Sequence, residues 1–347
     1  MKNITNISSS QTWPPGTPAM PADIIAINKS FNISSEYDEQ YPYLVLAKTI
    51  FRNWAPIFVS LVGIFGNVIS FFITTKKEYR HISTCLYMSA LAAVDTVFLV
   101  EYLIDVPFFF GLKFTNHLIV IRFLTYAMYS SATSSRLILA AMTADRACAV
   151  FLPLKARSLC TVSHARKVIV MFILIPAVVN INMMFTYAVV GEDFDTIVLS
   201  VRDYPWLEII ITIYQSAVLT VIPFSVILIS NILIVFSVRR AATNMNKLGQ
   251  DNKQGSSENK HLTRMLLLVS LAFVLCCAPY TLFEIFYKIL ALVGAVDYSA
   301  YWTIRMGVIG WGTAAITQAN HAVNFYLYVL GGGKKFRTDA INVLRLA

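Results

Sequence analysis

Seven long apolar runs, with Lys and Arg gathered in every second connection between them, constrain this chain more than any other feature. Uncharged stretches cover 54–75, 168–191, 209–238, 265–283 and 306–333. Each reaches the roughly 20 residues a helix needs to cross a bilayer. Two more runs, about 82–110 and 117–151, reach that length only by carrying Asp95, Glu101, Asp105, Arg122, Arg136, Asp145 and Arg146 in or near the membrane. A charge at that depth needs a partner, a proton or a cation, so function is sought there first. The fold class expected is an all-α membrane protein, a seven-helix bundle.

Orientation follows from the basic residues. They concentrate in the connections 76–81, 152–167 and 239–264 and in the tail from Lys334, which places these segments in the cytoplasm and the N-terminus outside, at the plasma membrane. Four glycosylation sequons, at Asn3, Asn6, Asn28 and Asn32, agree with an exposed outer head. No charged start with an apolar core and cleavage site precedes them, so the first span is expected to direct insertion. The domains read as a flexible glycosylated head over 1–49, the membrane bundle over 50–330 and an amphipathic juxtamembrane helix over 331–347. In that last segment Phe336, Ala340, Val343 and Leu344 share a face suited to lipid. Residues 241–259 form a polar, flexible linker.

The net charge of +9 belongs to inner loops that face anionic lipid, with no interleaving of aromatic and basic residues suited to nucleic acid. All five cysteines, Cys85, Cys148, Cys160, Cys276 and Cys277, fall in spans or on the inner side, so no outer disulfide is expected. The chain does not read as an enzyme. Gly331 to Lys335 lacks phosphate-loop spacing, and the histidines, including His321, lie on scattered segments.

The third run ends Met142-Thr-Ala-Asp145-Arg146-Ala147, and Pro153-Leu154-Lys155-Ala156-Arg157 follows. Gly66-Asn67, Leu91-Ala92-Ala93-Val94-Asp95, Pro223, Phe273 with Cys276 and Pro279, and Asn320-His-Ala-Val-Asn324-Phe325-Tyr326-Leu327-Tyr328 fall in order around it. Together these resemble the rhodopsin-like (class A) G-protein-coupled receptors, and Phe325 and Asn231 are similar to invertebrate neuropeptide receptors of the FMRFamide type. The chain departs from the family at Ile121 for the outer cysteine, Cys277 for the sixth-span tryptophan, Ala147 after the Asp-Arg pair and Phe325 for proline.

The resemblance implies three layers of site. Asn67, Asp95, Ser135, Asn320 and Asn324 form a buried cluster holding water or a sodium ion at Asp95, the single metal expected and the one cofactor considered. Asp145, Arg146 and Tyr328 form the switch toward a heterotrimeric G protein, Arg146 being released from Asp145. Glu101, Asp105, Arg122, Trp206, Gln215, Tyr280, Glu284, Tyr287 and Trp311 surround the outer cavity. Met128 and Gln318 stand where amine and retinal receptors carry their ligand-binding acid and lysine, so those ligand classes fall. Acids among aromatics suit an amidated peptide with Arg near its C-terminus. Arg136 either pairs with an acid or meets a ligand group. Two other readings stay open: a chemosensory receptor for a small molecule, and an intramembrane transporter using Asp95 and Arg136.

Overall fold

The computed structural model describes residues 41–109, 118–185, 187–190, 196–199, 210, 214, 221–248, 255–293, 300–331 and 334–346. The sequons at Asn3, Asn6, Asn28 and Asn32, together with Trp206 and Gln215, lie outside them, as does the side chain of Asp105.

The first span is α1 (Pro42–Thr49), a π-helical turn (Ile50–Trp54) and α2 (Ala55–Thr74) in one continuous run. The second is α3 (Ser83–Phe109) and the third α4 (Leu118–Phe151). A short α5 (Pro153–Leu159) leads to the fourth, α6 (Val162–Val179), which ends in a 3-10 turn (Asn180–Phe185). The fifth and sixth are α7 (Ile222–Leu248) and α8 (Gly255–Leu292). The seventh is α9 (Ala300–Ala322) and α10 (Asn324–Gly331), and α11 (Lys334–Leu346) follows. Between the fourth and fifth spans β1 (Tyr187–Val190) pairs antiparallel with β2 (Thr196–Leu199), Tyr187 opposite Leu199. This hairpin is the one extended element among the described residues of an otherwise all-helical protein.

Sequence sets the ends of these helices. Thr161 caps α6 by accepting a hydrogen bond from the His164 amide at 3.2 Å. Pro176 removes one donor inside α6, and Asn180, four residues on, bonds its carbonyl at 3.0 Å where the helix tightens to 3-10. The fourth span thus runs over 162–185, earlier than its apolar stretch. The first begins at Pro42, ahead of the uncharged run, because Lys48 and Arg52 near its start do not stop it; the Arg52 guanidinium lies over the Trp311 ring, 4.9 Å from its centroid.

Burial runs opposite to that of a water-soluble bundle. Phe58, Leu61, Phe72, Val178, Leu275 and Leu282 are exposed, while Ser60, Asn67, Ser70, Asp95, Thr143, Ser270 and His321 are fully buried. Hydrocarbon solvates the apolar outside, and polar groups find partners only within the protein. Four helical stretches, 42–74, 83–104, 162–185 and 267–287, are long and apolar enough by themselves to cross a membrane. The third span does not qualify alone because its middle is rich in Ser, Thr and Tyr; α4 packs on α3, α6 and α7 and also meets α8. Around it Leu91, Ile138, Met142, Ile227, Phe273 and Tyr328 form the largest apolar core.

Close helix approach depends on Gly63. A Cβ there would lie 2.5 Å from Leu99 Cδ1 and 2.8 Å from the Ala322 Cα, so α2 meets the backbone of α9 and the Leu99 side chain of α3. Gly63→Val is expected to cost about 1–3 kcal/mol through overpacking, read as a lowered midpoint of thermal unfolding. An unchanged midpoint contradicts this packing.

At the far end of the chain α11 buries Ala340 and packs Phe336 and Val343 beside Ile69, Ile73 and Phe325, while Leu344 of the expected apolar face is exposed. Asp339 accepts from Lys76 Nζ at 2.9 Å and Tyr79 Oη at 2.7 Å. Burial and the Asp339 carboxylate together hold the Tyr79 hydroxyl well above its ordinary pKa, so it remains a donor. Arg337 donates to the Val329 and Leu330 carbonyls at 2.9 and 3.0 Å, satisfying the end of α10.

Candidate functional site

The site has three parts strung along the bundle axis. Farthest from α11, helices α3, α4, α8 and α9 enclose a cavity of about 100 Å³. Its lining follows helical spacing: Phe98 and Tyr102 on α3, Met128, Ala132 and Arg136 on α4, Tyr280 and Glu284 on α8, Ala314 and Gln318 on α9. Of the residues expected around the outer cavity, Glu284 and Tyr280 line this one, and Arg136 joins them from the third span.

Other expected lining residues lie elsewhere. Glu101 is buried and accepts from Ser131 Oγ at 3.2 Å, linking α3 to α4 beside the cavity. Trp311 carries Arg52 on its ring and so ties the seventh span to the first. Tyr287 is exposed and stacks on Phe283, with centroids 6.1 Å apart. Arg122 is half-buried near the start of α4 and is not in the cavity lining. Gln318 is held by the first span, donating to Pro56 O at 3.1 Å and Ser60 Oγ at 2.8 Å.

Below the cavity lies Asp95, fully buried. Ser135 Oγ donates to its Oδ1 at 2.6 Å, His321 Nδ1 meets the same oxygen at 2.6 Å, and Asn324 Nδ2 donates to Oδ2 at 2.8 Å. A carboxylate only accepts, so Nδ1 carries the hydrogen. Asn67 Nδ2 donates to the His321 carbonyl at 2.9 Å. Asn320 is buried but makes no hydrogen bond to Asp95 among the described residues; His321 takes the place the sequence reading gave it. The Phe98 ring, part of the cavity lining, lies against His321 with centroids 4.1 Å apart.

The seventh span breaks here, at Val323, without a proline. At this break Asn67 Nδ2 donates to the His321 carbonyl, the acceptor that a continuous helix offers to the Phe325 amide.

These residues do not fit a sodium ion. A hard cation needs several oxygen lone pairs around it, whereas each side chain on Asp95 presents an N–H or O–H donor to it. The expected sodium ligand is already hydrogen-bonded by three side chains of the protein.

At the α11 end, Asp145 Oδ2 accepts from Ser83 Oγ at 2.9 Å, and its backbone carbonyl accepts from Cys160 Sγ at 3.3 Å. Arg146 Nε donates to Thr84 Oγ1. The Asp145–Arg146 ion pair implied by the resemblance is not formed; each side chain is held by α3 instead. Consecutive helical residues do not face each other, so Asp145 and Arg146 meet the consecutive Ser83 and Thr84. Tyr328 is buried with its ring nearly perpendicular to that of Phe336, centroids 6.2 Å apart. The sixth and seventh spans close tightly at this end. A Cβ on Gly331 would lie 2.6 Å from Met265 Cα, and Arg264 donates to the Gly331 carbonyl at 3.2 Å. A larger apolar-walled cavity of about 380 Å³ lies beside this latch, lined by Asp145, Cys148, Cys160, His164 and Pro223 among others.

Residues 66–308 match the family described as 7 transmembrane receptor (rhodopsin family). An FMRFamide receptor of Drosophila melanogaster is 26% identical over 299 residues, covering 80% of this chain but half the length of that receptor. G-protein coupled receptor 183 of Salmo salar is 22% identical over 305 residues, 85% of this chain and 80% of that protein. With the inward-facing polar column, the broken seventh span and the Asp-Arg latch on one bundle, the chain belongs to the rhodopsin family of seven-transmembrane receptors.

Proposed function

We propose that this receptor takes an amidated peptide from outside the cell and answers by opening its α11 end to a heterotrimeric G protein at the plasma membrane. The observation that carries the reading is the unbroken chain of contacts from the cavity through Phe98 and His321 to Asp95, Asn324 and the seventh-span break. A ligand pressing on the cavity floor acts on that break directly, and shifts the equilibrium only by binding the open state more tightly. The FMRFamide receptor relative supports a peptide ligand.

The cavity is small beside the several hundred Å³ of common ligand sites, so one terminal residue of the peptide enters it and the rest stays above. Glu284 receives a cationic group and Arg136 a carbonyl oxygen, each through charge-assisted hydrogen bonds. The same small volume favours one competing reading, a chemosensory receptor for a small molecule. A library of amidated peptides applied to cells reporting several G-protein pathways separates the two. The proposal expects an agonist among Arg-containing peptides; response only to small non-peptides supports the alternative.

In this reading the α11 end is cytoplasmic and the head carries glycans at Asn3, Asn6, Asn28 or Asn32. Glycosidase is expected to reduce the apparent mass, and an antibody to residues 1–40 to stain intact cells. Staining that needs permeabilisation reverses the orientation.

A further inference from the structure

The mid-span carboxylate raises a question of charge. Asp95 and His321 are both fully buried, 2.6 Å apart, in a part of the bundle lined by neither cavity described above. An ionised carboxylate removed from water without compensation is costly, and the compensation must come from close by. Arg136, next to Ser135 on α4, lines the cavity. The first span contributes the neutral amide of Asn67, which is spent on the His321 backbone.

We propose that the His321 side chain stands in the place of a metal cation beside Asp95, so that this receptor does not bind sodium there. Three features make the ring a resident substitute. Its Nδ1–H meets the carboxylate at hydrogen-bond distance. Its face lies against the Phe98 ring, centroids 4.1 Å apart, so the ring fills the space beside the carboxylate. Its carbonyl is pinned by Asn67, so the residue is held from both its backbone and its side chain. A diffusible ion leaves when the cluster rearranges, but a side chain cannot. The same ring therefore also ties the cavity floor to the seventh-span break, and His321 is a positioning residue for Asp95 and Asn324.

The test needs no ligand. Purified receptor is unfolded thermally in sodium chloride and in choline chloride of equal ionic strength. Binding of an ion to the native state alone raises its melting temperature. The wild type is expected to melt at the same temperature in both salts. His321→Ser, which keeps a small hydroxyl and vacates the ring's space, is expected to melt lower in choline and to regain about 2 °C or more in sodium. Adding Asp95→Asn to that variant removes the sodium effect. A wild type stabilised by sodium, with the effect lost in Asp95→Asn, overturns the proposal, and this arm stands even if His321→Ser does not fold. A folded His321→Ser variant indifferent to sodium overturns it as well, because the ring is then not what excludes the ion.

Discussion

Glu284→Gln is expected to weaken an Arg-containing amidated agonist by at least about tenfold, with little change in receptor abundance at the surface. Glu284 lies on α8 one turn beyond Tyr280, and both line the cavity between the second, third, sixth and seventh spans. A charged pair formed there is largely desolvated. Removing one partner from such a pair costs roughly 2–5 kcal/mol, or about 30-fold to several thousand-fold in affinity. The amide of glutamine keeps the shape and one acceptor, which sets the lower bound. Concentration-response curves with the same peptide on both receptors measure it. Equal potency removes Glu284 from recognition, and if neutralising Glu101, Asp105 and Glu284 together also leaves potency unchanged, the small-molecule reading gains.

The latch gives the second large effect, in two opposite directions. Arg146→Ala is expected to cut agonist-driven signalling severely while ligand affinity persists, because Arg146 lies far along α4 from the cavity and near the end proposed to meet the G protein. Thr84→Val is expected to raise signalling without agonist. In the closed arrangement Thr84 accepts a hydrogen bond from the Arg146 guanidinium. A bond to a charged group contributes about 1.5–3 kcal/mol. If it exists only in the closed state, its loss moves the open population by roughly 10- to 150-fold. Basal nucleotide exchange, normalised to surface receptor, reports both variants. Wild-type signalling by Arg146→Ala, or an unchanged baseline in Thr84→Val, contradicts this view of the latch.

The spans were legible because each needs a long apolar run and little else. Their ends were less so: Lys48 and Arg52 interrupt the first run, yet the helix continues back to Pro42. Long basic side chains lie along a helix without ending it, so a charge is a poor boundary. Arg136 was recognised as unexpected but not placed, although its spacing of four and eight residues from Ala132 and Met128 sets all three on one helical face toward the cavity.

His321 illustrates a limit of periodicity. Residues 320 and 321 both share a face with Asn324, at spacings of four and three, so spacing does not choose between them. The rotation of the seventh span chooses, and that is fixed by contacts distant in sequence: Asn67 on the His321 carbonyl and Gln318 on Pro56 and Ser60. The Asp-Arg pair misled differently. The resemblance implied an ion pair, whereas helical geometry turns the two side chains apart toward Ser83 and Thr84.

The central claim is that ligand binding in the cavity opens the α11 end to a G protein. Its most direct test is nucleotide exchange on a purified heterotrimeric G protein, with the receptor in lipid nanodiscs and an amidated peptide agonist found by the cell screen. The account predicts exchange that rises with peptide and is lost in Arg146→Ala although that variant still binds the peptide. Peptide binding to the wild type with no rise in exchange on any G-protein class would contradict it.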